Sequence, residues 1–301
     1  MILLTGATGT VGSALLRRLV ASGESVRCLV RDPNRLGGER VRVQLALGDL
    51  GDPASFRNAL RGVDTVIHLA ASIRDQPRGS IEELTAVATL RLVRAAEREG
   101  ASRFLFFSAL GAGPASRTRF FRAKALAREA VERSGLTTQV FEPSIVYAPD
   151  DPWMTLLTRL GILPLVPVAG RGRALFQPIW AEDVADCVAA ALDGEGGSSR
   201  RYELAGPETL SYHDIVRTAL GPRPLLHVPM PAVRTGLRAV ERVSGPAAFA
   251  TWEEAELLEE PMTSAQGTAD AEALGVRPRP MREVLAAASA PSRLRDRRPS
   301  G

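Results

Sequence analysis

The sequence predicts a doubly wound α/β fold, in which helices cover both faces of a parallel sheet, together with a smaller C-terminal lobe. In the first half of the chain, apolar runs alternate with amphipathic helical segments, which is typical of such a sheet. Several runs are continuously apolar, such as TVIHLAA from Thr65, as expected for strands that are covered on both faces. After Phe141, this alternation of strands and helices ends, and proline-rich stretches indicate a separate lobe.

The composition is that of a globular protein. The 301 residues are 45% hydrophobic and 24% charged, which excludes collagen-like, disordered and disulfide-rich classes. The net charge is +4, but residues 289–301 alone carry +3, and we predict that they form a basic, disordered tail. Because the remaining body is close to neutral, we expect no nucleic-acid partner.

Three features favour a cytoplasmic protein. Cys28 and Cys187 lie in apolar segments and are predicted to be reduced core thiols. No apolar run approaches the roughly 18 residues of a membrane span. A strand that begins at Met1 leaves no room for a signal peptide. We therefore expect no membrane association, whereas the oligomeric state is not indicated.

The first half divides into six strands and four helices. The predicted strands are Met1–Leu4, Ser25–Val30, Arg42–Leu47, Thr65–Ala70, Arg103–Ser108 and Thr137–Phe141. The predicted helices are Val11–Ser22, Pro53–Leu60, Ile81–Glu99 and Arg119–Ser134. Asp52 is a predicted N-cap, with Pro53 at the first helical position.

In the second half, one segment is predicted to return to the main sheet. Ala174–Trp180 forms its strand, and the helix Glu182–Leu192 follows with Asp183 as its N-cap. The segment SYHD from Ser211 to Asp214 predicts a capping box at the start of another helix. The predicted sheet domain therefore covers residues 1–143 and about 174–193, and residues 144–173 and 194–288 form the smaller lobe.

A glycine motif follows the first strand. Gly6, Gly9 and Gly12 stand in TGATGTVG, between an apolar strand and an amphipathic helix, which is the context of a dinucleotide-binding turn. Gly6 allows a sharp turn, Gly9 allows the backbone to approach a pyrophosphate, and Gly12 allows close packing of helix on strand. The helix N-terminus attracts the phosphates. The predicted contacts in this turn are Gly6, Thr8, Gly9, Thr10, Val11 and Gly12.

The end of the second strand indicates which dinucleotide is bound. NAD-binding proteins place an acidic residue there to bond the ribose 2′-hydroxyl. Here Val30 stands at that position and is followed by Arg31 and Arg35. Because arginine can pair bidentately with a 2′-phosphate, the pattern favours NADP(H) over NAD(H). The alternative is that Arg31 is only a solvated loop charge.

Seven motifs occur in a characteristic order over about residues 1–190. They are TGATGTVG, LVRDP, GDLGDP, VDTVIHLAA, RFLFFSALGA, EPSIVYAPDD and FQPIWAEDVADCV. Together they resemble the short-chain dehydrogenase/reductase superfamily, which has the Rossmann fold, in its extended and atypical branches. Within it, the chain is most similar to proteins grouped with the nucleotide-binding accessory subunit of respiratory complex I, and is also similar to NmrA-like and isoflavone-reductase-like proteins.

The resemblance implies further site residues. The implied cofactor contacts are Asp49 and Leu50 at the adenine, Ala70 and Ala71 at the adenosine ribose, and Pro143, Ser144 and Ile145 at the nicotinamide. Ser108 matches the family's catalytic Ser/Thr. Glu142 stands where relatives often have arginine.

The catalytic segment departs from the family's pattern. The family uses a tyrosine and a lysine four residues apart, and the matching positions here are Phe120 and Lys124. Phe120 has no proton to give, so Lys124, or a water that it holds, would handle the proton and contact the cofactor. Lys124 is the only lysine of the chain. The alternative is a helix-surface lysine of no consequence.

Three functional hypotheses follow from the resemblance. The favoured one is an oxidoreductase that moves hydride to or from a small carbonyl or conjugated substrate, with Ser108 and Lys124 as catalytic residues. The second is a non-catalytic NAD(P)(H)-binding redox sensor, regulator or assembly factor. The third is a nucleotide-sugar epimerase or dehydratase, which the missing tyrosine disfavours. Whether the protein is an enzyme therefore stays open.

The three histidines do not indicate a metal site. His68 lies within the fourth predicted strand and is expected to be a hydrogen-bonded core residue. His213 and His227 have no Cys, His or Glu partner at metal-ligand spacing. We therefore predict no metal ligands.

Overall fold

A seven-stranded parallel sheet forms the centre of the computed structural model, which describes residues 1–194, 199–245 and 250–289. Apart from Ser289, the predicted basic tail lies outside the described residues. The strands are β1 (Ile2–Thr5), β2 (Val26–Val30), β3 (Gln44–Leu47), β4 (Thr65–His68), β5 (Arg103–Phe107), β6 (Thr137–Pro143), β7 (Val146–Tyr147), β8 (Val166–Ala169), β9 (Leu175–Phe176), β10 (Ile179–Trp180), β11 (Arg200–Leu204), β12 (Leu210–Ser211) and β13 (Leu225–Val228). The sheet has the order β11-β6-β5-β4-β1-β2-β3, and its neighbours are parallel throughout. The predicted doubly wound fold is confirmed.

Helices cover both faces of this sheet, and further helices belong to the smaller lobe. They are α1 (Thr10–Ala21), α2 (Pro53–Phe56), α3 (Ala88–Arg98), α4 (Arg119–Glu132), α5 (Pro152–Leu160), α6 (Ala181–Asp193), α7 (Tyr212–Leu220), α8 (Met230–Ser244), α9 (Trp252–Leu257), α10 (Ala269–Ala273) and α11 (Met281–Ser289). Helices α1 and α6 bury one face of the sheet, and α3 and α4 bury the other. A 3₁₀ turn (Arg57–Leu60) extends α2, and a π-helical turn (Glu83–Val87) leads into α3.

The local signals for helix starts are mostly confirmed. The Asp52 side chain accepts a hydrogen bond from the Ala54 N–H, with Pro53 at the first position of α2. Ser211 and Asp214 form the predicted capping box of α7. Asp183 is not an N-cap, because α6 begins after Trp180 and places Asp183 inside its first turn.

The predicted return of Ala174–Trp180 to the main sheet is wrong. This segment forms β9, which pairs with β12, and β10, which pairs with β7. Pro178 stands between the two short strands and has no N–H for a ladder. The edge position beside β6 is occupied instead by β11, where Leu204 pairs with Pro143. Only α6 returns as predicted, and it packs against α1.

The smaller lobe has its own apolar core. Phe176, Ile215 and Met281 are buried in it, and side chains of α5, α7 and α11 surround them. The two cysteines lie in the main core, where both are buried and free, and burial raises the pKa of each thiol to about 12. Among the described helices, none is both long and apolar enough to cross a membrane.

Candidate functional site

The glycine turn brings three main-chain segments close together. Gly6 has φ +74°, and a β-carbon there would lie 2.7 Å from the Ala70 nitrogen at the end of β4. A β-carbon on Gly12 would lie 2.0 Å from the Gly6 carbonyl oxygen, so α1 packs on this turn only because Gly12 has no side chain. Gly9 is the N-cap of α1, and its N–H donates to the Gly6 carbonyl. The result is a main-chain cradle at the carboxyl edge of the sheet, of the kind that accepts a pyrophosphate.

A cavity of about 130 Å³ opens beside this cradle. Seven predicted residues line it, namely Gly6, Thr8, Arg31, Asp49, Leu50, Ala70 and Ala71. Ser72 and Gln76 also line it, although nothing in the sequence marked them, because only the loop after β4 brings them there. Arg35 does not line the cavity and lies exposed in the 3₁₀ segment Pro33–Arg42.

Arg31 and Asp49, which both line this cavity, are held by hydrogen bonds. The Arg31 guanidinium donates to the Gln76 side-chain oxygen at 3.1 Å. The Asp49 carboxylate accepts from the Gly51 N–H at 2.9 Å and from Arg78 at 3.1 Å. Burial on its own would raise the pKa of Asp49, but these hydrogen bonds and the charges of Arg31 and Arg78 hold it below its ordinary value. The Asp49 side chain is therefore an ionised acceptor, as recognition of an amino group requires.

Lys124 is buried on the inner side of α4. Lys124 is only 4% exposed. Its side-chain ammonium donates to the carbonyl of Phe107, the residue before Ser108. The ammonium nitrogen lies 5.2 Å from the centre of the Phe106 ring and 5.7 Å from that of Phe120. Because burial disfavours the charged form, the pKa of Lys124 falls from 10.5 to about 7. The alternative of a helix-surface lysine is therefore wrong.

Ser108 lies directly beyond β5, and its main-chain N–H donates to the Phe141 carbonyl at 2.8 Å. Its hydroxyl oxygen is buried and has no hydrogen-bond partner among the described residues. A buried polar atom without a partner is costly, which favours a ligand contact here. Phe120 packs against Ile81 and Ala123, so an apolar ring occupies the place of the family's hydroxyl.

The loop after β6 is held by the C-terminal part of the chain. The Ser144 hydroxyl donates to the Met262 carbonyl at 2.6 Å and accepts from the Gln177 N–H at 3.0 Å. This side chain therefore fastens the loop, and Pro143 and Ile145 are left as candidates for contact with a nicotinamide. The Ser144 N–H donates to the Leu204 carbonyl at 2.9 Å, so the main-chain carbonyl of Ser144 is the group left for the predicted contact with a nicotinamide.

Two further residues of the sequence analysis have structural roles. His68 is buried between the hydroxyls of Thr5 and Thr89, at 2.7 and 2.9 Å, and burial lowers its pKa to about 3, so the predicted core histidine is confirmed. Glu142 pairs with Arg128 of α4 and lies 3.9 Å from Arg201 of β11. The carboxylate at the position where relatives often have arginine therefore joins a helix to the edge strand.

The comparisons with known proteins agree with this geometry. A profile of an NAD(P)H-binding family matches residues 6–195. The chain is 31% identical to the mitochondrial NADH dehydrogenase [ubiquinone] 1 alpha subcomplex subunit 9 of Arabidopsis thaliana, over 70% of this chain and 54% of that protein. It thus spans about half the length of this relative.

Two other proteins extend the comparison. An NAD(P)H azoreductase of Xenophilus azovorans is 28% identical, over 76% of each chain. The crystal structure of a nucleoside-diphosphate-sugar epimerase of Staphylococcus aureus superposes with a TM-score of 0.73 at 21% identity, over 94% of this chain and 99% of that one. At this identity, the structural likeness is one of fold.

Proposed function

The chain belongs to the NAD(P)H-binding family of Rossmann proteins, and from that premise we propose that it is an NADP(H)-dependent reductase of a small carbonyl or conjugated substrate. The observation that carries this proposal is the buried Lys124. Its ammonium, with a pKa of about 7, lies next to the strand end that bears Ser108, whose hydroxyl has no partner in the part of the chain that the structure describes. A group that titrates near neutral pH can give up a proton and take it back during turnover.

The cradle and cavity fit the dinucleotide. Gly6 and Gly12 allow the turn, the loop after β4 and α1 to pack closely, and the N-terminus of α1 at Gly9 would face the pyrophosphate. Asp49 would accept from the adenine amino group, and Arg31 would pair with the 2′-phosphate. When bound, NADPH supplies hydride. The Ser108 hydroxyl would donate to the substrate oxygen and Lys124 would deliver the proton, while the rings of Phe106 and Phe120 exclude water from its ammonium.

A second candidate function is non-catalytic binding of NADP(H). Phe120 supports it, because the ring that faces Lys124 carries no hydroxyl. The relationship to a subunit of a respiratory complex is consistent with a binding role. In that case the cradle and the cavity bind NADP(H) as a redox sensor, without turning over a substrate.

A direct assay separates the two candidates. The purified protein is titrated with NADPH, and oxidation of NADPH is then followed against a panel of carbonyl and conjugated substrates. We expect turnover, and we expect Lys124→Met to lower kcat by about 10²-fold or more. Tight binding without turnover by the natural sequence establishes the sensor instead, and undiminished turnover by Lys124→Met removes Lys124 from the mechanism.

Cofactor preference is tested by reversing the charge at Arg31. Losing a charge-assisted bond costs about 1.5–3 kcal/mol, so Arg31→Glu is expected to weaken NADPH binding about 10- to 100-fold and NADH binding much less. Arg35→Glu is the matched control, because it makes the same charge change outside the cavity. Equal losses for both cofactors in Arg31→Glu contradict the assignment of NADP(H).

A further inference from the structure

Two of the three histidines of the chain meet on the surface of the smaller lobe. The Nε2 atoms of His213 and His227 are in hydrogen-bond contact, and their ring centres lie 4.5 Å apart with the planes inclined at 67°. His213 is in the first turn of α7 and His227 is in β13. The two residues lie 14 positions apart, so no metal-ligand spacing in the sequence marks this pair, and only the fold brings the two rings together.

Each ring is held by a different part of the lobe. A β-carbon on Gly172 would lie 2.4 Å from Cδ2 and 2.6 Å from Nε2 of His213, so the ring occupies space that only glycine leaves free. The His213 N–H also donates to the Gly172 carbonyl at 3.1 Å. His227 is placed by its register with Val168 in the parallel pair of β8 and β13. Two separate elements of the lobe thus bring the two nitrogens together.

The pair lies at the surface of the lobe, where Arg173, Asp214 and Arg217 are its charged neighbours. The two guanidinium groups oppose a bound cation, and the carboxylate favours it. A neutral imidazole nitrogen is the form that binds a metal ion. His227 is exposed and His213 half-buried, so solvent reaches the pair.

We propose that His213 and His227 form a two-imidazole chelate for a divalent first-row transition cation. Nitrogen ligands lie about 2.0–2.1 Å from such an ion, so the two Nε2 atoms need to stand about 3.3 Å apart in a tetrahedral site and about 2.9 Å apart in the tetragonal site that Cu²⁺ prefers. Small rotations of the two rings supply either separation once the shared proton has left. The described residues contain no group of three or more His, Cys, Asp and Glu side chains suited to a metal, so water completes the coordination. Among these cations Cu²⁺ binds most tightly.

The test uses the full chain without a histidine tag and CuCl₂ as the probe. We expect calorimetry to give one Cu²⁺ per chain, and the electron paramagnetic resonance spectrum to show two nitrogen ligands. His213→Gln and His227→Gln should each weaken binding at least tenfold, because each leaves a single imidazole. Arg217→Gln, which alters a neighbouring charge on the same helix, should leave both nitrogen ligands in the spectrum.

A second measurement needs no variant. In NMR spectra of the natural chain, ZnCl₂ should shift the signals of two histidines in parallel and leave the third, the buried His68, in place. Unchanged Cu²⁺ affinity in both glutamine variants, or absence of any histidine shift at millimolar Zn²⁺, overturns the proposal. Neither result depends on dinucleotide binding.

Discussion

At the scale of the single residue, Lys124 shows what a sequence does and does not reveal. Its position four residues after Phe120 predicted its place on the site side of a helix. Its burial depends on rings that arrive from β5 and from α4 itself, and no local pattern encodes that packing. The position of Gln76 could not be predicted either, because only the loop after β4 brings its side-chain amide to Arg31.

The shifted pKa of Lys124 has a measurable effect on stability. The folded chain holds this group at a pKa of about 7, whereas the ordinary value is 10.5. Between these pH values the unfolded chain binds a proton that the folded chain does not, so the contribution of Lys124 to the free energy of unfolding rises with pH across this window. We expect the stability difference between the natural chain and Lys124→Met to shift in favour of the natural chain from pH 7 to 10, as measured by urea midpoints.

Because the chain has one lysine, the pKa itself can be observed directly. Labelling with [¹³Cε]lysine gives a single side-chain resonance, and its titration should have a midpoint near pH 7. A midpoint above about pH 10, as in an exposed lysine, contradicts both the burial and its proposed proton transfer.

At the scale of the element, amphipathic helices and buried strands were well predicted, while short strands were not. The six predicted strands of the sheet all form, with ends that differ by at most two residues. β11 was missed because only Tyr202 and Leu204 of its five residues are buried, so its sequence has no continuous apolar run. Conversely, Ala174–Trp180 resembles a sheet strand because it is apolar, but its apolar side chains serve the smaller lobe. Phe176 is buried in the core of that lobe, and Ala174 and Trp180 pack against this core.

The contact between α1 and the glycine turn predicts a strong effect of one methyl group. Gly12→Ala places a β-carbon 2.0 Å from the Gly6 oxygen, and we expect a loss of about 1–3 kcal/mol in the free energy of unfolding. Gly236→Ala in α8 is the control, because its β-carbon meets nothing within 4 Å and should stabilise the helix by about 0.5–1 kcal/mol. Urea unfolding of both variants measures the two effects, and a neutral Gly12→Ala contradicts the close packing.

At the scale of the whole molecule, polar contacts join segments that lie far apart in the sequence. Asp183 of α6, with a side chain 3% exposed, accepts from the backbone N–H and the guanidinium of Arg279. Arg279 also stacks on Trp180, 3.7 Å from the ring centre. The C-terminal part of the chain is thus tied to the helix that follows the sheet, a connection that no motif predicted.

Removing one partner of this contact should therefore be costly. Asp183→Ala leaves the backbone N–H and the guanidinium of Arg279 without their acceptor. Because the Arg279 side chain is 49% exposed and water can hydrate its charge, we expect a loss of about 1–3 kcal/mol in the free energy of unfolding. Glu129→Ala, which removes the exposed ion pair with Arg133 on α4, should cost less than about 0.5 kcal/mol. Similar urea midpoints for the two variants would show that the connection does not stabilise the fold.

The late position of β11 in the chain affects how the protein is made. Residues 200–204 leave the ribosome well after β6, beside which they pair. Until then, the nascent chain presents β6 as an open sheet edge, with unpaired main-chain groups that invite pairing with other polypeptides. Chains stalled before residue 200 should therefore depend on chaperones more than chains stalled after β11 and α7 have emerged.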